Sequence, residues 1–220
     1  MGFQGVNLGE VAIQYVCLLF SLSVHEAAHA FMADRRGDPS ARFLGRATLN
    51  PLAHIDPIGT VIMPLLMMVT GVPFLFGWAK PVPYNPRNLR NMRKDPALIA
   101  LAGPAANFTM MIVFAVIMRV VVIGMDIPPT HEALQNPVFM LVFSMAMINM
   151  ALMAFNLIPV PPLDGGGIIA PFLSANGQRI LESIGPFGII IAIIAANKIL
   201  PGPMHAMSNA ILWFAFWGQV

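Results

Sequence analysis

Apolar residues run through this chain in six long stretches: Leu8–Ala33, Pro57–Phe76, Ala97–Met125, Pro137–Ile158, Ile180–Leu200 and Met204–Trp217. Crossing the hydrocarbon of a bilayer takes about 20 apolar residues in a helix. The first, third, fourth and fifth stretches meet that length. The second is borderline and is interrupted by Pro64 and Gly71. The last is short and carries Trp213 and Trp217, residues favoured at a membrane interface. The pattern predicts an all-α fold, a polytopic membrane helix bundle of about five to six segments. The chain, residues 1–220, reads as a single domain without repeats, low-complexity tracts or linkers.

Composition strengthens this reading. Hydrophobic residues make up 57% of the chain and charged residues only 10%, against about 25% charged in a soluble domain. A lipid bilayer is therefore the expected surrounding. The single cysteine, Cys17, excludes an internal disulfide and a cysteine zinc site. The first stretch has no basic start and no small-residue cleavage site, so it reads as part of the mature protein. No long basic tract suggests nucleic acid, and nothing in the pattern specifies an oligomeric state.

The positive charges concentrate in two connections. Arg35, Arg36, Arg42 and Arg46 follow the first stretch, and Lys80, Arg87, Arg90, Arg93 and Lys94 follow the second; together they are nine of the twelve Lys and Arg. Basic connections belong on the cytoplasmic side. The connection Asp126–Asn136 has no Lys or Arg and reads as the opposite side. Pro57–Phe76 lies between the two basic connections, so it is expected to enter and leave on one side as a re-entrant hairpin or broken helix. Pro81, Pro83 and Pro86 block helix. A short extended, edge-strand-like element at the membrane surface is expected there.

Chemistry concentrates in Ser23-Val-His25-Glu26-Ala-Ala-His29. Residues four apart share a helix face, so His25 and His29 suit one metal ion. Glu26 is placed to act as general base on a metal-bound water. Ionisable groups at membrane depth are costly unless paired or metal-bound, which argues against a chance pair. Catalytic zinc usually has three protein ligands and an open position. Glu10 is too far back on the same helix to serve as the third. Asp164, in Asn156-Leu-Ile-Pro159-Val-Pro161-Pro162-Leu-Asp164-Gly-Gly-Gly, sits in irregular backbone at membrane depth, tolerated where it lines a cavity. It reads as a ligand, as an N-cap of the next helix, or as both.

Three segments in this order resemble the site-2 protease family of intramembrane zinc metalloproteases. They are His25-Glu26-x-x-His29, Gly103-Pro104-Ala-Ala-Asn107, and Asn156-x-x-Pro159 through Leu163-Asp164-Gly165. The resemblance is to the compact prokaryotic branch, with no room for PDZ or CBS domains. Asn50–Pro57 and Trp78–Arg90 are similar too. The resemblance implies one Zn2+ per chain and hydrolysis of a peptide bond in or near a transmembrane helix of a membrane protein. It places the chain as a multi-pass protein of a bacterial or archaeal membrane with its zinc site toward the cytoplasm. Asn107 and Asn156 would hold substrate or oxyanion, or serve as helix–helix glue. Val82, Pro83 and Tyr84 would pair with an unwound substrate as an added strand. Asn149 reads as glue, Arg119 as snorkelling or paired, and His54, His131 and His205 as solvent-facing or capping. A metal transporter would need further ligands along a path, and an inactive homologue would usually lack Glu26 or a ligand.

Overall fold

The structure is a computed structural model in which residues 8–70 and 77–218 are described. Among these residues there is no strand, and four helical stretches are long and apolar enough to cross a membrane: Gly9–Arg35, Asp95–Gly124, Pro137–Asn156 and Ala175–Ile199. In lipid the backbone must satisfy its own hydrogen bonds, which is why long apolar runs become helices. In chain order the helices are α1 (Leu8–Arg35), α2 (Ser40–Phe43), α3 (Met63–Thr70), α4 (Asp95–Gly124), α5 (Pro137–Asn156), α6 (Asp164–Ile169), α7 (Ala175–Ile184), α8 (Gly188–Ile199) and α9 (Pro201–Phe216). The fifth stretch starts earlier than its apolar run and divides at a 3-10 turn, Gly185–Phe187. The sixteen-residue α9 is about 24 Å long, short of a full span.

α4 is the centre of the bundle, packed between α1, α5 and α9. Met111, Ala115, Met118 and Val122 of α4 interlock with Phe139, Val142, Ala146 and Met150 of α5 and with Ile211 and Ala215 of α9. The spacing by threes and fours is that of one helical face. Arg119 is paired, one of the two roles expected for it. Its guanidinium donates to the Ala215 and Trp217 carbonyls and so closes the C-terminal end of α9. α5 starts at Asn136, whose side chain accepts from the Val138 and Phe139 amides ahead of Pro137.

The segment after α1 is held by buried polar side chains. Asp38 is fully buried and accepts hydrogen bonds from the Ser40 hydroxyl, the Asn85 amide and the Asn88 side chain. Burial alone would raise its pKa, but those donors hold it below the ordinary carboxylate value. His54, expected at the surface, is buried instead. Its Nε2 bonds to the Thr48 carbonyl, and its own carbonyl accepts from the Lys80 amide.

Part of the Pro57–Phe76 stretch, residues 71–76, lies outside the described residues. Its start is a π-helical turn, Pro57–Ile62, capped by Asp56, followed by the eight-residue α3. Together they advance about 20 Å, against about 30 Å of hydrocarbon. Just beyond residue 76 the chain is back at its starting point: the Trp78 amide donates to the Gly59 carbonyl at 3.2 Å. A Cβ on Gly59 would lie 2.5 Å from the Trp78 ring, so only glycine admits this approach. Gly59, near the start of the stretch, and Trp78, just beyond it, therefore lie side by side.

The extended surface element forms no ladder. Gly77–Asn85 has neither helix nor strand. Pro81 and Pro83 have no N–H to offer. The amides around them go to scattered acceptors: Trp78 to Gly59, Lys80 to His54, Val82 to Glu26 and Asn85 to Asp38.

Candidate metal centre

His25 and His29 lie one turn apart on α1, about 15 Å and about 9 Å before its end at Arg35. Both are buried, at 4% and 8% exposure. Their Nε2 atoms face each other at 3.0 Å. Asp164, the first residue of α6, places Oδ2 3.1 Å from His25 Nε2 and Oδ1 3.4 Å from His29 Nε2. The loop between α5 and α6 can deliver it because Gly165 and Gly166 pack without side chains. A Cβ on Gly166 would lie 2.7 Å from the Pro161 nitrogen, and one on Gly165 2.5 Å from the Leu157 carbonyl.

The outer ring nitrogens show which inner atoms bear protons. His29 Nδ1 lies 2.7 Å from the Ile99 carbonyl, and a carbonyl only accepts. Nδ1 therefore bears a proton, and in the neutral ring Nε2 presents a lone pair. His25 Nδ1 lies 2.5 Å from Asn107 Oδ1, with the same consequence. The inward Oδ2 of Asp164 is buried and, among the described residues, has no hydrogen-bond partner. With both rings neutral, two imidazole lone pairs and a carboxylate converge with no proton between them. That arrangement is unfavourable without a cation. A tetrahedral zinc ion with ligands at about 2.0–2.1 Å has donors about 3.4 Å apart, close to the separations here. Residues His25, His29 and Asp164 fit such an ion and form one cluster of candidate ligand atoms within 4.8 Å of one another.

Gly103 of α4 makes room for that ion. A Cβ there would overlap His29 Nε2 and lie 2.6 Å from His25 Nε2. The first residue of the glycine-proline segment is therefore an empty place in the wall of the site. Gly103 and Pro104 are buried in α4.

The family model for peptidase family M50 matches residues 13–195, which include all of these residues. The chain belongs to peptidase family M50. This M50 protein is a membrane zinc metalloprotease of the site-2 protease family. It is 32% identical over 180 residues to YwhC of Bacillus subtilis, provisionally named a zinc metalloprotease, covering 81% of this chain and 77% of that one. It is 29% identical over 199 residues to Rip2 of Mycolicibacterium smegmatis, provisionally named in the same way, covering 89% and 70%. A zinc metalloprotease of Methanocaldococcus jannaschii is 24% identical over 199 residues, covering 86% and 45%. No solved structure matches the chain.

The structure brings four of the residues singled out in the sequence to one place: His25, Glu26, His29 and Asp164. Glu26 follows His25 on α1, and its Oε2 accepts from the Val82 amide at 3.2 Å. Val82, Pro83 and Tyr84 therefore run past the carboxylate beside the metal ligands. Asn107 is fully buried, and both its polar atoms are engaged inside the protein. Asn156 is half-buried at the end of α5, with its amide bonded back to the Leu152 carbonyl. Asn149 and Ser21, given no part in the chemistry by the sequence, are joined to Asn107. The signal was present in one respect: Ser21, His25 and His29 are spaced by four on one face of α1.

Proposed function

We propose that this M50 protein is an intramembrane metalloendopeptidase of the His-Glu-x-x-His type. It hydrolyses a peptide bond in or near the transmembrane helix of a membrane protein, in regulated intramembrane proteolysis. One zinc ion per chain is held by His25, His29 and Asp164. The observation that carries this reading is the convergence of two histidine lone pairs and an unpartnered carboxylate beside Glu26. The whole chain, 1–220, acts as one membrane-embedded unit whose partners are lipid and the substrate.

Zinc, when bound, polarises the scissile carbonyl and brings the pKa of water toward about 7. Glu26 takes the proton of the attacking water and hands it to the leaving amine. His25 and His29 keep their Nδ1 protons on Asn107 and Ile99, so their inner nitrogens stay available as ligands. A helical substrate hides its carbonyls, so it must unwind locally. Val82, Pro83 and Tyr84 lie beside Glu26, where an unwound strand would pass, and they offer it backbone carbonyls and the Tyr84 N–H. Asn156, at the end of α5 eight residues before Asp164, is the proposed amide contact to substrate. Asn107 is assigned to His25 and not to substrate, because its polar atoms are buried.

Zinc content tests the ligand set. The purified protein is expected to hold one zinc per chain, and His25→Ala and Asp164→Ala to lose it. Elemental analysis finding no zinc in a folded, active preparation would refute the assignment.

The geometry also supports a topology. His25 and Asp164 meet at one depth, and α4 and α5 supply two crossings between them. A third crossing by Pro57–Phe76 would put Asp164 on the far side. The Trp78–Gly59 bond supports a stretch that returns to the side it left. With both basic connections on that side, the zinc site opens toward the cytoplasm. Single cysteines at Arg42 and Asn88, introduced on a Cys17→Ala background, are expected to label from the same side of the membrane. Labelling from opposite sides would show that the stretch crosses.

A further inference from the structure

A chain of buried hydrogen bonds leads away from His25 and ends on a backbone carbonyl 120 residues further along the chain. His25 Nδ1 meets Asn107 Oδ1 at 2.5 Å. Asn107 Nδ2 meets Asn149 Oδ1 at 2.8 Å and the Ser21 carbonyl at 3.5 Å. Asn149 Nδ2 meets the Ser21 hydroxyl and the Met145 carbonyl, each at 2.8 Å. Ser21, Asn107 and Asn149 come from α1, α4 and α5, and Asn107 and Asn149 are fully buried.

The direction of every bond follows from the last one. The Met145 carbonyl cannot donate, so the end of the Asn149 amide facing it must be the NH2. Asn149 therefore turns its oxygen toward Asn107. The end of Asn107 that meets that oxygen must in turn be its NH2. Asn107 then has only its oxygen for His25, and an oxygen acceptor requires the proton on His25 Nδ1. The imidazole is left with a lone pair on Nε2, the atom that faces His29 and Asp164. Without this constraint Asn107 could turn over, donate to Nδ1, and leave the proton on Nε2, where it blocks a metal.

We infer that Asn149 and Ser21 are positioning residues that, acting through Asn107, hold His25 in the one tautomer able to bind zinc. This rests on His25 being a zinc ligand. Polar partners behind a metal-bound histidine act in this manner, and their loss typically lowers metal affinity about 10–100-fold. A purely structural role for the same buried amides would be helix–helix glue. The two roles differ in what they predict for the metal and the imidazole.

The test uses the full-length protein in detergent, with zinc and a competing chelator. Asn149→Leu is expected to lower zinc affinity about 10–100-fold. Asn107→Leu is expected to do the same, and the double variant to be no worse than Asn107→Leu alone, because both act on one imidazole. Ser21→Ala removes one of two acceptors on Asn149 and is expected to cost about threefold to tenfold; it serves if Asn149→Leu does not fold. In metal-free protein, nitrogen NMR of labelled histidine is expected to show His25 protonated on Nδ1, and a mixture of tautomers in Asn149→Leu. Wild-type zinc affinity and an unchanged tautomer in Asn149→Leu and Ser21→Ala would overturn the inference, as would losses that multiply in the double variant. If His25→Ala binds zinc as well as the wild type does, the ligand assignment itself falls, and the inference with it.

Discussion

Glu26→Gln is expected to reduce peptide-bond cleavage by about 10²–10⁴-fold, the usual contribution of a positioned general base, while leaving the zinc content at one per chain. The substitution changes charge and little else. Gln has nearly the shape of Glu, and its side-chain oxygen still accepts from the Val82 amide that meets Glu26 Oε2. The strap Pro81–Tyr84 should therefore stay in place, and His25, His29 and Asp164 are untouched. What disappears is the basic carboxylate proposed to take the proton from water. The measurement pairs cleavage of single-span membrane proteins with elemental analysis of the same preparation. Turnover near the wild-type level would remove Glu26 from the mechanism. Loss of zinc together with turnover would mean that Glu26 supports the metal instead of the proton transfer.

Gly103→Ala is expected to lower zinc affinity by at least about 10–100-fold, although alanine is the better helix former by about 1 kcal/mol. The reason is steric. The added methyl would overlap His29 Nε2 and lie 2.6 Å from His25 Nε2, in the space the ion needs. Inserting a group into a packed site costs about 1–3 kcal/mol, enough for a loss of about 10–100-fold in affinity, and here it also displaces two ligand nitrogens. Gly124→Ala is the control. It adds the same methyl at the other end of α4, where nothing lies within 4 Å, and should leave zinc binding unchanged. Both can be read by chelator competition, with thermal unfolding of the metal-free proteins to show that they fold. Wild-type zinc affinity in Gly103→Ala would remove Gly103 from the wall of the site.

The extended element shows why a correct local reading can still miss the contacts. The prolines at 81, 83 and 86 do exclude helix, and Gly77–Asn85 is not helical. The expected strand needed a partner ladder, and none forms among the described residues: the amides of Trp78, Lys80, Val82 and Asn85 go singly to Gly59, His54, Glu26 and Asp38. His54 was misplaced for a similar reason. A polar stretch rich in Pro, Asn and Asp reads as surface, but Thr48 and Lys80 fold over this one and bury the ring.

The sequence by itself determined that the chain lives in lipid, where its long helices lie, and which pair of histidines shares one face of α1. Each of these is local. A span needs about 20 apolar residues in a row, and two ligands on one face need a spacing of four. Basic residues likewise mark their connections one at a time. The tertiary structure alone decided which face of each helix is buried. In helices apolar on every side, such as α4 and α5, no periodicity separates a face toward lipid from one toward protein. It also brought Asp164, already read as a ligand from the sequence, to the two histidines, and decided that Gly103 leaves space beside them, that Val82 meets Glu26, and that Asn149 and Ser21 stand behind His25. Those contacts join residues 56 to 139 positions apart, and only the packing of α1, α4, α5, α6 and the Gly77–Asn85 segment brings them within hydrogen-bond or ligand distance.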